Sequence, residues 1–237
     1  MMDIFFLSFN ESNREKNWLL LKSRFPHSRH IHGVKGVALA HFMCAQLSKT
    51  PYFFVVNGDN EILKSFQFQL PSPLAPAVYT WRSLNPVNQL IYGFGGIKLF
   101  WKQTAFAFSR GIDVSTSLNI PYKIVPEMAS VTHFNASPLE AWRGAFRECV
   151  KLSSRCITRQ HDRETKERLE IWCEEGRESP FGSYSVLGAR QGRTYGLKYR
   201  DCPKSLRKIN DFQWLKSYFL KNVVSDHSIP TDYTNPV

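Results

Sequence analysis

Asn57, Gly58, Asp59 and Asn60 are the residues with the plainest chemical potential. They follow residues 52–56, a short apolar run rich in β-branched and aromatic side chains. Such a run, stopped by turn formers, predicts a buried strand. Its end presents a carboxylate flanked by a glycine and two amides, which suits a hydrated cation or a phosphate. In open α/β sheets ligands bind just outside the carboxyl ends of strands. Few other acids are available before Glu140: Asp3, Glu11, Glu15, Glu61, Asp113 and Glu127. Asp113 is the sole carboxylate between Glu61 and Glu127. It serves equally as a turn or helix-cap acid.

The elements that must position these groups read as follows. Residues 3–9 predict a strand ending in Ser8, Phe9, Asn10 and Glu11. Residues 13–24 carry apolar positions at helical spacing, and residues 29–32 form a short second strand. Gly33, Val34, Lys35 and Gly36 lead into a helix over 37–47, and then comes the strand before Asp59. This β-α-β-α-β alternation predicts an α/β fold with a Rossmann-like, mixed but mostly parallel central sheet flanked by helices. No GxGxxG fingerprint follows the first strand, and the Walker pattern is absent, so a dinucleotide cofactor is not expected. Further strands are expected at 78–82 and 97–100, with Gly93, Gly95 and Gly96 between them. Dense glycine allows close backbone approach to a ligand, or simply a hairpin turn. Residues 110–118 predict a loop entering a helix, and residues 121–125 and 129–134 predict β structure ending near His133. His133 reads on its own as a core histidine; His32 and His41 read as structural. Ser137, Pro138 and Glu140 open a helix as N-cap, first-turn proline and first-turn acid. One face of that helix is apolar, and the other carries Arg143, Arg147, Lys151 and Arg155.

The charged stretch 157–178 predicts a solvated helix. The glycine- and arginine-bearing stretch 182–199 predicts a mobile loop that closes over substrate or lies along DNA. A short helix is expected over 211–220. We therefore expect a core over residues 1–155 and a basic helical and loop extension over 156–237. The chain has 31 Lys and Arg against 20 Asp and Glu, a net charge of +11. That excess suits a polyanion, because phosphates release counterions to Lys and Arg. No apolar run reaches transmembrane length, so no membrane contact is expected. The five cysteines lack metal-ligand spacing, which fits a reducing, cytoplasmic setting. A monomer is expected.

The segments FNES, VVNGDNE, GGIKLF, GIDVSTSL and VPEMASVTHFNASPLEAW occur in an order that resembles the GT-A nucleotide-sugar glycosyltransferases. More narrowly, NWLLLKSRFP, HGVKG, NGDNEI, WRSLNPVN, YGFGGIKLF and FRECVKL resemble a tailed-phage group that glycosylates hydroxymethylated pyrimidines in DNA. The resemblance covers roughly the first 150 residues and implies a GT-A-like core.

It implies that Ser8, Phe9, Asn10, Glu11, Lys35, Asn57, Gly58, Arg82, Gly95 and Gly96 bind a nucleotide-sugar, with a UDP-sugar expected. It implies a divalent cation, Mn²⁺ or Mg²⁺, on Asp59 and His133. Asn57 departs from the family pattern, since an acid is expected there. Asp113, and second Glu127, would remove the acceptor proton. The acceptor is then the hydroxymethyl group of a modified pyrimidine, 5-hydroxymethylcytosine foremost, flipped from a duplex in the host cytoplasm. On charge alone, Arg143, Arg147, Arg190, Arg193 and Lys198 are the candidates for holding the DNA. Two other readings stand beside this one: the same fold acting on a glycan or lipid-linked acceptor, and a non-catalytic nucleic-acid-binding protein.

Overall fold

The computed structural model describes residues 2–93, 96–105, 121–156 and 161–224. Gly95 and Asp113 lie outside them. The described strands are β1 (Asp3–Ser8), β2 (Arg29–His32), β3 (Tyr52–Asn57), β4 (Asn60–Ile62), β5 (Val78–Leu84), β6 (Ile91–Tyr92), β7 (Ile97–Trp101) and β8 (Tyr122–Thr132). The helices are α1 (Arg14–Arg24), α2 (Val37–Leu47), α3 (Lys102–Ala105), α4 (Pro138–Ser154), α5 (Asp162–Glu174), α6 (Gly182–Lys198), α7 (Pro203–Leu206) and α8 (Phe212–Phe219). A 3₁₀ turn, Arg207–Asn210, joins the last two.

The strands form one sheet in the order β2-β1-β3-β7-β5-β8-β4, with β6 paired to β5. Strand alternation explains its two apolar faces. Ile4, Phe6, Phe54 and Val56 point to the side covered by Leu21 and Trp18 of α1. Phe5, Leu7, Phe53 and Val55 point to the side covered by Ala40, Cys44 and Ala45 of α2. The sheet is mixed and flanked by helices, as expected, but parallel pairing does not predominate. Only β1–β2, β1–β3 and β5–β8 pair in parallel. The pairs β3–β7, β5–β7, β4–β8 and β5–β6 are antiparallel. The first two β-α units bring β1, β2 and β3 parallel, whereas β7 and β4 run against the strands they pair with. The two expected β segments around residues 121–134 are one strand, β8, irregular in its register against Trp81 and Arg82.

The sheet must curl. Residues 57 and 60 belong to strands four places apart in the sheet order, β3 and β4. A flat sheet would separate them by about 19 Å, whereas three residues of chain span at most about 11 Å. The turn through Gly58 and Asp59 therefore closes the curl, and the β5–β8 irregularity bends in the same service.

A helical layer packs beside the sheet. Ser137 caps α4 as expected, its hydroxyl accepting from Glu140 N at 3.2 Å. In α5 the charged face carries i,i+4 pairs, Arg163–Glu167 at 2.8 Å and Arg168–Glu164 at 2.7 Å. The stretch expected as a mobile loop over 182–199 is instead helix α6. Its Gly188, Gly192 and Gly196 lie four residues apart, hence on one face. A Cβ at any of them would collide with the α4 backbone at Trp142, Phe146 or Val150. Close helix contact, not loop flexibility, accounts for these glycines. Helix α4, from Pro138, thus packs as part of the helical layer. It joins the sheet through a buried network. Tyr92 Oη donates to Glu148 Oε1 at 2.9 Å, and Trp172 Nε1 donates to Tyr92 Oη at 3.0 Å.

Candidate functional site

The sheet gathers its chemistry at one rim. The carboxyl ends of β1, β2, β3, β5 and β8 lie there, together with the starts of β4 and β7, as the strand pairings require. Ser8, His32, Asn57, Asp59, Gly96 and His133 all belong to this rim. Gly96 stands across from Asn57, because Val56 pairs with Ile97.

Ser8 and Glu11 meet the Asp59 turn at Gly58. A Cβ on Gly58 would lie 2.8 Å from both Glu11 Oε2 and Ser8 Cβ, so the position is closed to larger residues. Glu11 is fixed by its own loop, Oε2 accepting from Phe9 N at 2.7 Å. The buried Asn17 of α1 donates through Nδ2 to Gly58 O at 2.9 Å and pins the turn from below.

Asp59 is held from the other side. Asn60 Nδ2 donates to Asp59 Oδ1 at 2.7 Å. The Asn60 carboxamide is oriented by two hydroxyls, Ser130 Oγ at 3.0 Å and Thr132 Oγ1 at 2.8 Å from its Oδ1. Ser83 completes the group, 2.7 Å from Thr132 Oγ1 and 3.0 Å from Ser130 Oγ. All four of these polar residues are buried. Burial raises the Asp59 pKa to about 6, and the nearby Glu11 adds to the rise, against the Asn60 hydrogen bond and the Lys98 charge. Two carboxylates are thus held together at a strand end, one of them reluctant to ionise. Perturbed acids of this kind concentrate at functional sites.

A second cluster adjoins the first. Ser8 Oγ lies 2.7 Å from His30 Nε2 and 2.8 Å from His32 Nδ1. His30 packs on Trp18, with ring centroids 4.8 Å apart, and on Phe6, at 5.2 Å. That burial, with His32 alongside, lowers its pKa. His32 is exposed at the rim. The loop after it turns through Gly33 and Gly36, both at positive φ, and carries the exposed Lys35.

The candidate residues separate into those gathered at the rim and those placed elsewhere. Ser8, Phe9, Asn10, Glu11, Asn57, Gly58, Asp59 and Gly96 sit at or next to one another. His133 shares the rim, and its backbone N donates to Asp59 O at 2.8 Å. Its ring turns to Glu61 instead, Nε2 lying 3.3 Å from Oε2, where Lys16 also binds at 3.2 Å. Among the described residues no three His, Cys, Asp or Glu side chains group to hold a metal ion. Arg82 is exposed on β5 at the register shift. Glu127 is set back roughly 20 Å along β8 from His133, and accepts from Trp81 Nε1 at 3.2 Å.

The arginines assigned to DNA hold the helical layer together. Arg143 lies 4.5 Å and Arg147 5.2 Å from the Phe212 ring. Arg147 Nε also donates to Ile209 O at 2.8 Å. Arg190 Nε donates to Cys173 O at 2.8 Å, capping the end of α5. Arg193 is exposed and lends positive charge to Cys173. Lys198 lies 5.3 Å from the Tyr199 ring.

His30, Ser83, Ser130 and Thr132 escaped notice in the sequence, and Asn60 was read only as a turn amide beside Asp59. Ser83, Ser130 and Thr132 carried a signal, since serines and threonines occupy positions of β5 and β8 that alternation assigns to the interior. No known protein-family model matches the chain. A search of curated proteins likewise found no match.

Proposed function

We propose that this chain is a glycosyltransferase that takes its sugar from a nucleotide-sugar lying across the carboxyl ends of β1 and β3. The observation that carries the reading is the convergence of Glu11 and Asp59 across Gly58. Those residues come from FNES and NGDNE, the segments on which the family resemblance rests most. The donor set is oxygen-rich, with carboxylates from Glu11 and Asp59 and the Asn57 amide, and suits a hard divalent cation. Such a cation, Mn²⁺ or Mg²⁺, offsets charge on the departing diphosphate when bound. Lys98 and Lys35 supply fixed positive charge on the same rim. The Asn60–Thr132–Ser83 network fixes Asp59 Oδ1 in place. Asp113 is the proposed base toward the acceptor hydroxyl.

The acceptor in this reading is the hydroxymethyl group of a modified pyrimidine in DNA. Support comes from the phage-group segments and the positive charge of the chain. The test is to incubate the protein with UDP-sugars, Mn²⁺ or Mg²⁺, and DNA with or without hydroxymethylcytosine. Digested nucleosides are then examined by mass spectrometry. A sugar adduct confined to the modified DNA is expected, falling on the order of a hundredfold or more in Asp59→Ala and Glu11→Ala. The absence of an adduct with every donor overturns the reading.

A further inference from the structure

We propose that the exposed basic edge from Lys198 to Lys208 binds the phosphodiester backbone of a nucleic acid and leads it to the strand-end rim. Lys198, Arg200, Lys204, Arg207 and Lys208 fall within eleven residues, and Asp201 is the sole acid among them. All five are exposed. Among the described residues none of the five enters an ion pair, in contrast to Arg143, Lys151, Arg163 and Arg168. Unpaired cations on a surface gain most from phosphate, because nothing must be broken before counterions are released.

The edge is held rigidly enough to present those charges together. Tyr195 Oη donates to Ser205 O at 3.0 Å, and Arg147 Nε holds Ile209 O from the other side. Leu206 and Ile209 are buried in the core formed with Trp142, Phe146 and Leu215. An aromatic surface adjoins: Lys208 lies 5.7 Å from the half-buried Trp214, which packs on Tyr195 and Tyr218. Cations interleaved with aromatic rings suit a nucleic acid strand. A lipid surface would instead call for an apolar helix face turned outward, and Leu206 and Ile209 here turn inward.

The same segment runs to the rim. Phe212 follows the 3₁₀ turn by two residues, and its ring meets Phe9 edge-on at 6.4 Å. Phe9 is next to Ser8 and donates to Glu11. A strand bound along Lys204, Arg207 and Lys208 therefore passes toward the proposed donor site. This destination rests on the transferase reading, whereas the binding itself does not.

The test measures fluorescence anisotropy of a labelled DNA duplex with the full chain over a range of salt concentrations. The triple variant Lys204→Glu, Arg207→Glu, Lys208→Glu is expected to bind on the order of tenfold more weakly. Its slope of log affinity against log salt should shrink by about 3. The neutral triple with Gln at the same positions should move both readouts in the same direction by less, and guards against misfolding of the reversed one. Transfer to free 5-hydroxymethyl-deoxycytidine should survive in both. Unchanged affinity and slope in a variant with native circular dichroism overturn the proposal, as does anionic phospholipid vesicles displacing the DNA. If neither the nucleoside nor hydroxymethylcytosine DNA is ever glycosylated, the transferase reading fails while the binding comparison still decides this one.

Discussion

Ionising Asp59 opposes folding. Its pKa rises from the ordinary 3.8 to about 6, so the folded protein holds the proton more tightly than the unfolded chain. Stability from this group is full below the lower value and is lost as pH rises through the upper one. The loss reaches at most about 3 kcal/mol above that window. Asp59→Asn keeps an oxygen to accept from Asn60 Nδ2 while removing the charge. We expect it to raise the urea midpoint near neutral pH and to flatten the pH dependence between about 4 and 6. Denaturant titrations at several pH values check this, and a wild-type slope retained in the variant refutes it. Asp3 shows the opposite case at the other end of β1. Burial works to raise its pKa, yet donors from Lys49 N, Thr50, Ser48 and Arg29 prevail and lower it. The fold rewards one carboxylate for ionising and penalises the other.

At the scale of elements, the pairing of α4 with α6 is the tightest contact. Gly192→Ala should help the helix alone by about 1 kcal/mol. It should nonetheless destabilise the protein by about 1–3 kcal/mol, since the new methyl meets the Phe146 carbonyl. Thermal unfolding decides the sign, and a stabilised variant would mean that the helices separate freely. This contact also marks where the sequence was legible. Helix α4 announced itself through local signals, Ser137, Pro138 and Glu140, which act within one turn. In α6 the same glycines that permit close packing read as loop formers, because their partner lies over forty residues away. Their four-residue spacing was the clue, and it concerns a face rather than a flexibility. The site divides likewise. Glu11 and Asp59 were readable from strand ends. The Asn60 network was not, because it needs β8 brought back from seventy residues away.

Across the whole molecule two layers are joined at Tyr92, Glu148 and Trp172. Glu148 also receives Lys151 Nζ at 2.7 Å. Glu148→Ala removes the buried carboxylate to which Lys151 Nζ and the Tyr92 hydroxyl both donate, at a cost of about 3 kcal/mol. We expect unfolding to split into two transitions, followed by near-ultraviolet and far-ultraviolet circular dichroism, as the layers part. A single undisplaced transition would show the junction to be passive. Charge is segregated over the same architecture. Residues 161–178 hold seven acids against four bases, while 198–208 hold five bases against one acid. The acidic helix α5 and the basic edge pack on different faces of α4. Under the proposed nucleic-acid binding, this segregation would turn the basic side toward the polyanion first.

Ser8 has a single hydroxyl hydrogen and two imidazole neighbours. It cannot donate to both rings, so at least one ring nitrogen facing it must carry a hydrogen whenever both contacts are hydrogen bonds. When Ser8 donates to His30, His32 is protonated at Nδ1, and in the neutral ring its outward Nε2 is a bare lone pair. When Ser8 donates to His32, the outward Nε2 of that neutral ring bears the hydrogen instead. Rotation of one O–H bond, with a matching exchange of tautomers, thus turns the outer edge of His32 from acceptor to donor while every heavy atom stays where it is.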